Sequence, residues 1–99
     1  MRISVTDIGS TFGRQTRAYA EYRIFSSVAR FGDVVHEATV SLTARRAGGA
    51  ARCVVSVSVD DNGCVRVSAR GRHAYDAINR AAERIGAALR RHIGIPLST

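Results

Sequence analysis

Wound at 100° per residue, the stretch 73–92 brings His73, Arg80, Arg84 and Arg91 within about 40° of one another on a helix surface. Arg90 and His92 follow near its end. A guanidinium is planar, permanently charged and carries five donors that match phosphate oxygens. A row of them is therefore chemistry for gripping a polyanion. Two ordinary roles compete with that one. Asp76–Arg80 (i, i+4) and Arg80–Glu83 (i, i+3) are spaced as surface ion pairs, and cations near a helix C-terminus complement the helix dipole. Arg84 and Arg91 have no acid three or four residues away, so intrahelical pairing does not account for them.

The whole chain leans the same way. Its 99 residues hold 15 basic and 8 acidic side chains, a formal charge of +7, and every basic residue is arginine. An excess of this size on a small domain is an electrostatic footprint for nucleic acid. Catalytic patterns are missing. "GSTFGR" (9–14) has neither the spacing nor the lysine of a P-loop, and no nucleophile elbow, HExxH or paired-carboxylate motif occurs. Cys53 and Cys64 form no CxxC, and His36, His73 and His92 are scattered without metal-ligand spacing. The sequence thus predicts no enzyme, no cofactor, no metal site and no small-molecule substrate. No apolar run approaches the ~20 residues of a membrane span. "MRISVTDIGS" lacks the continuous apolar stretch of a signal peptide, and two free thiols suit a reducing compartment. The expectation is a cytoplasmic protein without a membrane partner.

The elements that must position the arginines are legible from periodicity. Residues 2–6 alternate with Ile3 and Val5 on one face. Residues 37–45 repeat the pattern with Ala38, Val40, Leu42 and Ala44, residues 52–60 with Cys53, Val55, Val57 and Val59, and residues 64–70 with Val65, Val67 and Ala69. Such alternation describes a sheet packed on one face only. A loop of Asp61, Asn62 and Gly63 would pair Val59 with Val65, Val57 with Val67 and Val55 with Ala69, setting the two cysteines at opposite ends of the hairpin. Ala20, Ile24, Val28 and Phe31 mark a helix between the first two strands, closed by Gly32. Ala74, Ile78, Ala81, Ala82, Ile85, Ala88 and Leu89 form the apolar stripe of the last helix, stopped by Gly94 and Pro96. The expected fold is α+β in the order β-α-β-β-β-α. A four-stranded sheet has two helices on one face, an architecture like that of double-stranded-RNA-binding domains. Residues 1–94 make one domain and 95–99 a short tail.

The solvent face of that sheet offers Arg2, Arg45, Arg52, Arg66 and Arg70 among serines and threonines. It has no aromatic to stack a base. Tyr19, Tyr22, Phe25 and Tyr75 fall in the helical segments, where core packing is expected. Recognition of an RNA backbone and shape fits this distribution better than base reading.

The stretch "VSVDDNGCVRVSARGRHAYDAINRAAERIGAALRRH" (57–92) resembles the second half of the ribosome hibernation-promoting factor and ribosome-associated inhibitor family: strand, glycine turn, strand, then a helix opening on Tyr75-Asp76-Ala77-Ile78-Asn79. "ARFGDVVHEATVSL" (29–42) is similar to that family's aromatic-terminated first helix running into a strand. The resemblance implies a translation inhibitor that binds the small ribosomal subunit through rRNA phosphates. It would occupy the channel of messenger and transfer RNA and hold ribosomes inactive under stress. Carried over by position, Arg84, Arg91 and His92 fall where the family's last helix is basic, and Arg17 and Arg23 where its first helix is. Arg80 and Arg90 join them on charge geometry alone. Ala87 and Ile93 stand where basic residues are common in the family, and Ser26 replaces another. Those departures keep a second reading open: a divergent paralogue acting as a protein-interaction module without ribosome binding, weakly homo-oligomeric through an exposed edge strand.

Overall fold

The alternating segment at the start of the chain becomes β1 (Arg2–Ile8). It is followed by α1 (Arg14–Val28), a 3₁₀ turn (Ala29–Phe31), β2 (Val35–Ala44), β3 (Ala51–Val59), β4 (Gly63–Gly71) and α2 (Ala74–Ile93). The computed structural model describes residues 1–9, 11–44, 50–60 and 63–93. Arg45, residues 46–49, Asp61, Asn62, Gly94, Pro96 and the 95–99 tail lie outside the described residues. The sheet runs β1-β2-β3-β4. β1 is parallel to β2, and α1 supplies the crossover that a parallel pair requires. The other two pairings are antiparallel. Both helices pack on one face, α1 over β1 and β2 and α2 over β3 and β4, as the periodicity predicts.

The core lies between these layers. Leu42, Val40, Val55 and Val57 point up from the sheet to meet Ile24 of α1 and Ile78, Ile85 and Leu89 of α2, all nearly inaccessible. Ala77, Ala81 and Ala82 are buried as well, and their small side chains let α2 settle close to the strands. The approach is tightest at Gly71, where a Cβ would stand 2.4 Å from the Ala77 nitrogen and 2.8 Å from the Asp76 carbonyl carbon.

Several local expectations are corrected. The hairpin pairs Val57 with Val65, Val55 with Val67 and Cys53 with Ala69, while Val59 faces Gly63. Gly63 is thus the first residue of β4, at φ 80°, rather than the last of the loop. A shift of two residues leaves each valine on its predicted face, so the hydrophobic pattern alone cannot distinguish the two registers. Ala44 is exposed at the end of β2. At its other end, a bulge at His36 brings Val35 into the core in addition to Ala38. The displaced His36 ring meets the Asp60 carboxylate at the surface. Gly32 keeps a right-handed conformation at φ −57°, so α1 ends through its 3₁₀ turn and not through a left-handed glycine.

The start of α1 depends on a residue that periodicity does not reveal. Gly13 precedes the helix at φ 91°, ψ 177°, a region essentially closed to residues with a Cβ, and no side chain caps the helix. Asp7, near the end of β1, holds this approach instead. Its Oδ1 accepts the Thr11 N–H (3.0 Å), and its Oδ2 accepts those of Phe12 (2.8 Å) and Gly13 (2.9 Å). Desolvation opposes the ionised carboxylate, but the three backbone donors and the nearby Arg17 charge together outweigh it. The Asp7 pKa therefore lies below the usual carboxylate value.

Candidate nucleic-acid interface

The helical layer carries its cations on two flanks of α2 rather than on one face. The α1 flank is a groove of about 270 Å³. Arg23 and Arg30 wall it from the first helix and its 3₁₀ turn, and Arg90 from α2, against Glu83 as the acid of the lining. Arg23 is held in place by Nε–H donation to Asn79 Oδ1 (3.2 Å) and by Nη1 donation to the Ser27 hydroxyl (3.2 Å). The Tyr19 hydroxyl donates to the same Asn79 oxygen at 2.6 Å, tying α1 to α2 directly beside the groove. Ser26 and Ala87, two positions where the family resemblance expects basic residues, line this groove with small side chains.

The other flank follows the edge of β4. Arg84 is tethered there, donating through Nη1 to the Ser68 carbonyl oxygen at 2.6 Å. As the spacing implies, this partner is not an acid of the same helix; it lies in another element, where helical spacing cannot show it. The tether uses one of five donors and leaves the charge uncompensated. Arg80 pairs with Asp76 at 3.1 Å, as its spacing predicts, and lies near Arg70 and Arg72. His73 and Asp76 hold the N-terminus of α2 with two side-chain contacts. The Asp76 N–H donates to His73 Nδ1 (3.3 Å), and Asp76 Oδ2 accepts the Arg72 N–H (3.0 Å). That backbone donor, then Arg80, lower the Asp76 pKa.

The seven residues singled out from sequence therefore do not form one site. Arg23 and Arg90 meet in the groove. Arg80 and Arg84 occupy the β4 flank. Arg91 and His92 are exposed in the last turn of α2, and Arg91 has no polar partner among the described residues. Arg17 is half-buried beside Asp7, away from the groove. Arg30 was missed although it completes the groove wall. It falls just past the regular part of α1, where a helical wheel no longer applies.

The open sheet face is a third cationic surface. Arg52 stands directly opposite Arg70, and Arg66 opposite Ser56, whereas Arg2 faces Glu37. Like charges placed opposite one another destabilise a sheet, so Arg52 and Arg70 favour a counter-anion. Aromatic side chains depart furthest from expectation. Tyr22 is 66% exposed, Phe25 48% and Tyr75 41%, so none of the three is a core residue. Tyr19 is partly buried and meets Tyr75 edge-on, with ring centroids 4.8 Å apart.

Among the described residues no group of His, Cys, Asp or Glu could hold a metal ion, and no helix is long and apolar enough to cross a membrane. Two packed layers with cationic flanks of this kind offer binding surface to a polyanion. The chain belongs to the sigma 54 modulation protein / S30EA ribosomal protein family, whose sequence profile matches residues 3–94. The family is ribosome-associated, and the resemblance seen in residues 29–42 and 57–92 holds. Among solved structures, the chain is similar to the N-terminal domain of Protein Y from Thermus thermophilus. Identity is 28% and the TM-score 0.74, covering 92% of this chain and 98% of that one. It shares its fold with a ribosomal subunit interface protein from Coxiella burnetii at 12% identity and a TM-score of 0.79, covering 96% and 100%. Among curated proteins no sequence match reaches significance.

Proposed function

We propose that this chain is a cytoplasmic translation inhibitor that docks on the small ribosomal subunit through rRNA phosphates and obstructs the path of messenger and transfer RNA. The observation that carries this reading is the groove in which Arg23, Arg30 and Arg90 converge from α1, its 3₁₀ turn and α2, in a chain of a ribosome-associated family. Three guanidiniums around a groove with one acid make a seat for a phosphodiester backbone. Arg91 and His92 extend the cationic surface along the end of α2, and Arg80 and Arg84 extend it along β4. Arg17 acts at a distance, by holding the Asp7 loop that starts α1.

Co-sedimentation with small subunits and with whole ribosomes, across a range of salt, tests the reading. Engagement of about five phosphates gives a log–log salt slope of about −3 to −5, and initiator transfer RNA competes with the bound protein. A protein that stays in the supernatant at low salt refutes the proposal and turns attention to a protein partner.

A further inference from the structure

The outer side of α1, turned away from the sheet, carries a second apolar stripe. Ala18, Tyr22, Phe25 and Ala29 recur at helical spacing and are all exposed, whereas Ala20, Ile24 and Val28 face the core. Tyr22 and Phe25 are the largest exposed apolar side chains of the helix. Nothing in the core requires aromatic residues at these positions.

We infer that Tyr22 and Phe25 form a stacking platform for unpaired RNA bases, whose phosphates lie in the adjoining groove of Arg23, Arg30 and Arg90. The inference rests on the ribosomal RNA reading above and adds a base-contacting surface to it. Two features choose a nucleobase as the occupant. The first is continuity with the cations. Ser26 follows Phe25 directly, lines the groove, and bonds through its hydroxyl to the Tyr22 carbonyl oxygen at 3.0 Å. Arg23 and Ser26, each next in sequence to one of the rings, line the groove, so each ring stands about 100° round the helix from a groove residue. Side chains three apart on a helix are spaced by about 5–6 Å at Cβ, close enough for neighbouring unstacked bases to use both rings.

The second feature is area. An aromatic side chain covers roughly 150–250 Å² when fully buried, and the rest of the stripe is two alanine methyls. A stable protein interface needs about 800 Å² from each partner. A second copy of this chain would also bring its own charge of +7 against the first. A base needs much less area, and every base has a π-face to offer.

The test compares two ligands and two variants of the full chain by fluorescence anisotropy. One ligand is an unstructured RNA oligomer, the other an abasic ribose-phosphate chain of equal length. Wild type is expected to bind the base-bearing oligomer at least about tenfold more tightly, the scale set by base–aromatic stacking. Tyr22→Leu with Phe25→Leu keeps an apolar helix surface without π-faces, and Tyr22→Ala with Phe25→Ala removes both. Both pairs are expected to lose the preference while keeping wild-type affinity and salt slope for the abasic chain. Because the rings are exposed, both pairs should melt close to wild type, which thermal denaturation checks.

A wild type that binds both ligands equally overturns the platform and leaves the phosphate reading intact. Failure to bind even the abasic chain at low salt overturns both. A preference that survives in the leucine pair overturns stacking in favour of simple apolar contact. A wild-type dimer that becomes monomeric in the alanine pair, seen by analytical ultracentrifugation, assigns the stripe to a second copy instead.

Discussion

Replacing Arg23, Arg30 and Arg90 together with glutamine removes three charges from one groove while leaving amides that still hydrogen-bond. Each phosphate neutralised contributes about 0.7–0.9 to the slope of log affinity against log salt. Losing three should flatten the slope by about 2.1–2.7. Between about 50 and 200 mM salt, a span of roughly 0.6 log units, wild type should lose about 20–40-fold more affinity for ribosomes than the variant does. Arg80→Gln is the matched control, because Asp76 already faces that guanidinium at 3.1 Å and its charge is partly compensated. Its effect on the slope should be well under that of any groove arginine. The assay is a ribosome-binding titration at several salt concentrations, with thermal melts to confirm that each variant is folded. A triple variant with the wild-type slope, or an Arg80 variant that changes it as much, would refute the assignment of the phosphate seat to the groove.

Asp7→Asn should destabilise the domain by about 1–2 kcal/mol at neutral pH, a modest value because the carboxylate remains partly solvated. The native pKa of Asp7 is depressed, so its contribution is complete above the unfolded-state value and is lost as pH falls through the native one. Melting curves of wild type and Asp7→Asn should therefore converge on acidification below about pH 4; a gap that stays constant would mean that the charge is not what matters. Gly71→Ala forces a Cβ into the backbone of the first turn of α2, and should cost about 1–3 kcal/mol, lowering the melting temperature by about 4–8 °C per kcal/mol. Thiol titration of the native protein at mildly alkaline pH should modify Cys64, which is exposed, and spare Cys53, whose pKa is pushed up to about 12 by burial. Cys53 should react only after denaturation.

The order of elements, their faces and the layering were legible because strict alternation and a broad helical stripe each admit one arrangement. Strand register was less legible, since Val55, Val57, Val65 and Val67 stay on the core face under a shift of two residues. The core face of the first helix was legible from its spacing. Ala20, Ile24, Val28 and Phe31 turn inward as that spacing predicts, whereas Tyr22 and Phe25, expected to pack in the core as aromatics, lie on the exposed side of the helix. Arginine partners were legible only within one helix. Arg80 met Asp76 as expected, but Arg84 found a strand carbonyl and Arg23 found Asn79, contacts between residues far apart in the chain.

Two departures from the family's basic pattern, Ser26 and Ala87, line the groove, and Ser26 is next in sequence to the exposed Phe25. Two fewer cations reduce the salt-sensitive part of RNA binding, by about 1.4–1.8 in log–log slope if each would have met a phosphate. Stacking on Tyr22 and Phe25 supplies about 1–3 kcal/mol per base by a route that does not depend on displaced counterions. The exchange moves the balance of binding from charge toward π-contact. It predicts a chain that keeps its RNA at ionic strengths where a relative relying on arginine and lysine alone has begun to let go.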